Sequence, residues 1–267
     1  MRTPYIDDVT TALGHECARV ATLVVGAPDA TVRVANCPEW SVHQLAAHLV
    51  TVARRYSDGP EGRGTWVDDP RKVADLNDRQ LHELDDRPLS ELAGRLEDEV
   101  RSASERVRGY GARMPEFQFH GGAIVRADLA LGALLGELII HGRDLAQTLN
   151  RRWDIDGRHA GLVADGLSAI APGWIDRARA RALTAKFDVR LRGQTRQTWS
   201  FVDGGLSVRR SAPEGPVDCH ISADPGALLL LFYGRESQWK HIVSGRLVAW
   251  GRRPWLALTL ADRFHKP

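Results

Sequence analysis

The segment LALGALLGELIIHGRDLAQTL, residues 129–149, constrains the fold more than any other stretch of the sequence. On a helix turning about 100° per residue, Leu129, Leu131, Leu134, Leu138, Ile140 and Leu145 spread around nearly the whole circumference. A helix that is apolar on most sides is buried on most sides, so this one must lie inside the protein. Glu137, His141, Asp144 and Thr148 break the pattern, and all fall within a sector of roughly 60°. A carboxylate and an imidazole in such a place must be paired, hydrogen-bonded or metal-bound, because an isolated buried charge is too costly. Glu137 and His141 stand at i and i+4, a spacing that can chelate one metal ion.

A third ligand has to come from elsewhere, and the helix that begins at Ser41 offers two histidines. Ser41-x-x-Gln44 is a capping box, followed by an apolar stripe of Leu45, Leu49, Val52 and Tyr56. His48 lies on the flank of that stripe, about 60° from Leu45. His43 points to the far side and reads as a solvated surface histidine. The periodicity fits a metal site of His48, Glu137 and His141. It equally fits a Glu137–His141 hydrogen bond that satisfies two buried polar groups, with His48 an ordinary boundary residue.

The same reading makes helices of most of the first 180 residues. One spans about Asp8 to Val25, one opens at Pro88-Leu89-Ser90, and a shorter one runs from about His159 to Ile170. Ser57–Thr65, rich in Gly and Pro, and Pro115–Gly122 read as loops. After Thr184 the period changes from 3.6 to 2. Phe187, Val189 and Leu191 alternate with Asp188, Arg190 and Arg192, as in a half-buried strand. Trp199 and Phe201 continue it, Asp203-Gly204-Gly205 turns the chain, and Leu206 and Val208 return. Val217, Cys219 and Ile221 form a third alternating set, and Asp224-Pro225 caps a short helix closing at Gly234. Two domains are expected, 1–180 helical and 184–267 α+β.

Composition excludes several classes. Lys+Arg of 36 against Asp+Glu of 34 gives a net charge of +2, too balanced for a nucleic-acid binder. No apolar run approaches the roughly 20 residues that span a bilayer. The start, MRTPYIDDVTT, lacks the apolar core of a signal peptide. Cys17, Cys37 and Cys219 are odd in number and scattered, so a reducing cytoplasm is the expectation rather than a disulfide framework or a thiolate metal site. No membrane or nucleic-acid partner is expected, and the chain is taken as a monomer or weak dimer.

Two motifs carry a family resemblance. NCPEWSVHQLAAHL, residues 36–49, resembles the CPxWxVxxLxxHL motif of the mycothiol-dependent maleylpyruvate isomerase family, and GELIIHGRDLA, residues 136–146, resembles its ExxxHxxDL motif. The resemblance implies a DinB-like four-helix bundle with zinc, or another divalent metal, held by His48, Glu137 and His141. It also implies a smaller C-terminal domain similar to sterol-carrier proteins, on ADPGALLLLFYGRES and SGRLVAWG. The expected fold class is therefore α+β.

Two His and one Glu leave a coordination position open, the catalytic arrangement of zinc, and a thiol entering it would be held as thiolate. The resemblance supplies mycothiol as that thiol. The implied reaction is cis–trans isomerisation of a small, carboxylated electrophile, or S-transfer to it. Arg235 resembles a C-terminal arginine that family members use near the site, where it would pair with a substrate carboxylate through two parallel hydrogen bonds; a surface position is the alternative. Asp144 would orient the His141 imidazole, or else pair with Arg143 or Arg126 away from the site. Cys37 reads as a small apolar residue under a helix cap. Two other functions stay open: an apolar-ligand binder lined by Trp199, Phe201, Trp239, Trp250 and Trp255, and a hydrolase using metal-bound water.

Overall fold

In the computed structural model, which describes residues 4–194 and 196–265, the helical stretches become seven α-helices before the first strand of the large sheet. They are α1 (Pro4–Val25), α2 (Val42–Asp58), α3 (Val73–Leu81), α4 (Leu89–Gly109), α5 (Ala127–Thr148), α6 (Gly157–Ile170) and the single turn α7 (Arg177–Ala180). Helices α1, α2, α4 and α5 form a four-helix bundle, and α6 packs along α5. The capping box at the head of α2 is present in full: Ser41 Oγ accepts from the Gln44 N–H, and Gln44 Oε1 accepts from the Ser41 N–H. Leu134, Leu135, Leu138 and Ile140 lie on different sides of α5 and are all buried, as the all-round apolar pattern demands. Where α5 crosses α6, a side chain on Gly132 would meet the Leu162 carbonyl, and one on Gly166 would meet the Ala133 nitrogen and the Leu129 carbonyl. The two backbones touch there because neither residue has a Cβ.

Three features were not legible as elements. Helix α3, VADLNDRQL, is polar and buries only Leu76 and Leu81, too short an apolar stripe to register as a period. Two short hairpins are the other two. β1 (Arg33–Val34) pairs with β2 (Cys37–Ser41), and β3 (Glu116–Gln118) pairs with β4 (Ile124–Arg126) around a tight turn in which Gly121 and Gly122 both have positive φ. The stretch read as a loop, Pro115–Gly122, therefore contains a strand followed by a tight glycine turn.

The large sheet runs β7-β6-β5-β8-β9, with β5 (Ala185–Leu191) at its centre. β5 is antiparallel to β6 (Arg196–Val202) and parallel to β8 (Cys219–Ala223); β7 (Gly205–Arg209) and β9 (Leu247–Trp250) are antiparallel edges. Phe187, Val189 and Leu191 face the sheet's core, Phe187 edge-on to Phe201. Asp188, expected on a solvated face, is fully buried. Arg190, Arg196 and His220 close over it, all within 2.8 Å of its carboxylate.

Helices α8 (Pro225–Phe232) and α9 (Gln238–Val243) complete the fold. Asp224 caps α8 by accepting from the Ala227 N–H. Packing crosses between the two halves in both directions. Leu229, Leu230 and Tyr233 sit in the helical core, whereas Ala171 and Ile175 belong to the core under the sheet. Among the described residues, no helix is long and apolar enough to cross a membrane.

Candidate active site

His48 on α2 and Glu137 and His141 on α5 converge. Glu137 Oε2 lies 3.6 Å from His48 Nε2 and 3.4 Å from His141 Nε2, and one donor atom from each residue falls within 4.8 Å of the others. A tetrahedral ion about 2.0–2.1 Å from each donor separates those donors by roughly 3.3 Å, so the three residues fit a divalent metal with little movement. Both imidazoles present Nε2 to the cluster, and neither Nδ1 has a hydrogen-bond partner. Trp40, from the motif on β2, covers His48 with ring centroids 4.4 Å apart. His43, read as solvated, is instead half-buried and 2.7 Å from the Arg87 carbonyl through its Nε2.

Electrostatics sort the three groups. Burial drives the His48 pKa down to about 4, against the opposing pull of Glu137, so this imidazole is neutral and ready to ligate. Burial also works on Glu137, but His141 and His48 outweigh it and hold its carboxyl below the ordinary range. On His141 burial is outweighed too: Asp144, Cys37 and Glu137 raise its pKa well above the usual value. With a cation held by His48, Glu137 and His141, His141 would ligate as the neutral imidazole, without that proton.

The C-terminal part supplies two more side chains from the run Tyr233-Gly234-Arg235. The Tyr233 hydroxyl donates to Glu137 Oε1 at 3.2 Å, which leaves Oε2 turned toward the imidazoles. Gly136 leaves room for it, since a Cβ there would come within 2.8 Å of that hydroxyl. Arg235 lines the same cavity as the three cluster residues, and its partner is Asp144. Nε and Nη2 grip the carboxylate at 2.6–3.2 Å, Nη1 donates to the Tyr233 carbonyl, and Nη2 also points at Cys37 Sγ, 3.2 Å away. The edge of the guanidinium expected to hold a substrate carboxylate is thus engaged within the protein. Asp144 is fully buried, accepts from Asn36 as well, and lies 3.6 Å from His141 Nδ1, an ion-pair distance beyond hydrogen-bond range. Neither alternative partner takes it: Arg143 faces Glu236 and Arg126 faces Asp128. Cys37 is buried against Asp144 and Arg235, a polar setting that a helix-cap reading misses.

The cavity has a volume of about 250 Å³, just below the roughly 300–1,000 Å³ of drug-sized ligand pockets. Trp40, Trp66, Phe119 and Tyr56 give it apolar walls, and Arg55, Asn77 and His120 also line it. The aromatic residues proposed for an apolar-ligand pocket do not come together. Phe201 is core, Trp239 and Trp255 are exposed, Trp250 stacks on His220, and Trp199 borders a cavity of only about 50 Å³.

Fold and site together define a class: a four-helix bundle carrying a His–Glu–His cluster, joined to an α+β part that reaches into the same cavity. The family model described as the mycothiol maleylpyruvate isomerase N-terminal domain matches residues 13–146. The chain belongs to that family. The SCP-2 sterol transfer family model matches residues 171–251. Among solved structures, the mycothiol-dependent maleylpyruvate isomerase is similar with a TM-score of 0.54 and 14% identity, over 91% of this chain and 92% of that one. A histidine-to-alanine mutant of that enzyme gives a TM-score of 0.55 at the same identity and coverage. At that identity the likeness shows a shared fold. No curated protein matches the sequence.

Proposed function

We propose that this protein is a metal-dependent, mycothiol-using isomerase of the maleylpyruvate type, acting on a small carboxylated electrophile. The observation that carries the reading is the convergence of His48, Glu137 and His141 in a cavity that Arg235 and Tyr233 also border. Those three residues would hold zinc or another divalent ion. When bound, the ion would keep an incoming thiol as thiolate at neutral pH, so no dedicated base is needed. Tyr233 fixes which oxygen of Glu137 faces the cluster, and Trp40, Trp66 and Phe119 give the cavity apolar walls.

The chemistry balances without a redox partner. Thiolate sulfur adds to one carbon of a cis double bond, and the π pair moves onto the neighbouring carbon and its conjugated carbonyl. The former double bond then rotates as a single bond. Return of the pair re-forms the double bond in the trans arrangement and expels the thiolate. Asp144, which a hydrolase would use to take up the proton of attacking water, is committed to Arg235 and Asn36. The reading places the protein in a reducing cytoplasm, with its three buried cysteines unpaired, as a monomer or weak dimer with small-molecule partners.

The test is turnover of maleylpyruvate by purified protein with and without mycothiol, followed by absorbance and by NMR of the product. The expected result is the trans isomer only when thiol is present, with about one metal per chain. A thiol adduct accumulating as final product would make the protein an S-transferase, and full turnover without thiol would overturn the reading.

A further inference from the structure

Arg55 lies seven residues beyond His48 on α2, hence on the same helix face and about 10 Å further along the axis. Its side chain lines the cavity and is 5% exposed. Nη2 donates to Asn77 Oδ1 at 2.6 Å, and Nε is buried with no partner at all. Among the described residues no carboxylate comes within 4.0 Å of this guanidinium. Glu137, the acid whose field it feels, spends its oxygens on His48, His141 and Tyr233. A guanidinium cannot shed its proton to escape burial, and a buried charge without a counter-ion is costly.

His120 sharpens the point. Its Nδ1 accepts from the Val67 N–H at 3.1 Å. Burial, with Arg55 adding to it, lowers the ring's pKa to about 3, so the imidazole is neutral and its single proton sits on Nε2. That Nε2–H faces Arg55 Nη1 at 3.1 Å. Two donors therefore point at each other beside an open cavity, with no acceptor between them.

We propose that Arg55 and His120, with Asn77 holding the guanidinium in place, form the subsite that binds a carboxylate of the substrate. A carboxylate at this position supplies the missing negative charge and accepts from both donors. The planar fork suits it better than it would a point charge. The assignment deepens the reading of the cavity as a site for small electrophilic acids and rests on it. It also gives Arg55 the contact that Arg235, held by Asp144, has no free edge to make. An acid anchored here has its chain directed along α2 toward His48 and the cluster.

The test measures binding apart from turnover. Maleate, without added thiol, is titrated into the intact protein and followed by calorimetry and by fluorescence of the tryptophans in the cavity wall. The expected result is saturable binding of maleate, little binding of the neutral maleic diamide, and a loss of roughly thirtyfold or more in maleate affinity for Arg55→Met. Arg55→Lys, which keeps the charge but not the fork, should fall between. Metal content and melting temperature of the variants are measured alongside. Should Arg55→Met fail to fold, the preference for acid over diamide and the Arg55→Lys affinity still decide. Equal binding of acid and diamide, or wild-type maleate affinity in a folded Arg55→Met, would overturn the subsite. Arg55-dependent binding with no thiol-dependent turnover would leave the subsite standing and sink the isomerase reading. Turnover with an unchanged KM in Arg55→Met would do the reverse.

Discussion

At Glu137 the two carboxylate oxygens face different neighbours, and that difference predicts how the site fails. Oε1 takes the Tyr233 hydroxyl and Oε2 faces the two imidazoles. Replacing His48 or His141 by Ala, or Glu137 by Gln, should drop bound metal from about one per chain to near none, as elemental analysis of dialysed protein will show. Tyr233→Phe leaves every donor in place but frees Oε1, and should weaken metal binding about 10- to 100-fold while costing roughly 1 kcal/mol of stability. Metal retained at wild-type affinity in Tyr233→Phe would mean that the hydroxyl does not orient the carboxylate. The three cluster residues were legible because each departs from an apolar helical pattern on a shared face. Arg55 was legible by the same rule, being about 20° from His48 on the wheel, but an arginine near a helix end reads as a solvated residue. Cys37 and Tyr233 gave no such signal, since their neighbours are more than 95 residues away in sequence.

Among the elements, β5 shows how alternation can be right about direction and wrong about environment. Asp188 does point away from Phe187 and Val189, yet it is fully buried because Arg196 of β6 and His220 of β8 reach across to it. One carboxylate thus ties the three central strands together. Burial opposes its charge, but Arg196, His220 and Arg190 prevail and bring its pKa down to about 2. A carboxyl depressed in the folded state stabilises the protein above its unfolded pKa of about 3.9 and loses that contribution as pH falls toward the folded value. The sheet should therefore lose stability between about pH 4 and pH 2. Asp188→Asn should cost about 1–3 kcal/mol at pH 7 and much less at pH 2, measured by urea unfolding at both. An equal cost at the two pH values would assign the effect to packing instead of charge. Helix α3 and the two hairpins stayed hidden for a different reason. They are short, and what holds them is contact with the bundle rather than any period of their own.

At the scale of the molecule, the change of period near Thr184 marks where the large sheet begins, but the packing does not divide there. Helix α8 follows β8, and its Leu229 and Leu230 are buried in the helical core along with Tyr233. No sequence pattern announces this, because α8 is apolar on nearly every side and so does not declare which core it serves. The consequence is thermodynamic as well as geometric. Removing α8 from the bundle exposes Leu229 and Leu230 and withdraws Tyr233 and Arg235 from the site in the same motion. The two parts should then unfold together, in one calorimetric transition. Leu230→Ala should cost about 2–5 kcal/mol and lower the shared midpoint at roughly 2–4 °C per kcal/mol. Metal affinity should weaken in the same variant, because the Tyr233–Glu137 bond depends on the seating of α8. Two separate transitions in the wild-type protein, with Leu230→Ala moving only one of them and metal affinity unchanged, would show instead that α8 serves the sheet alone and that the bundle completes its site without it.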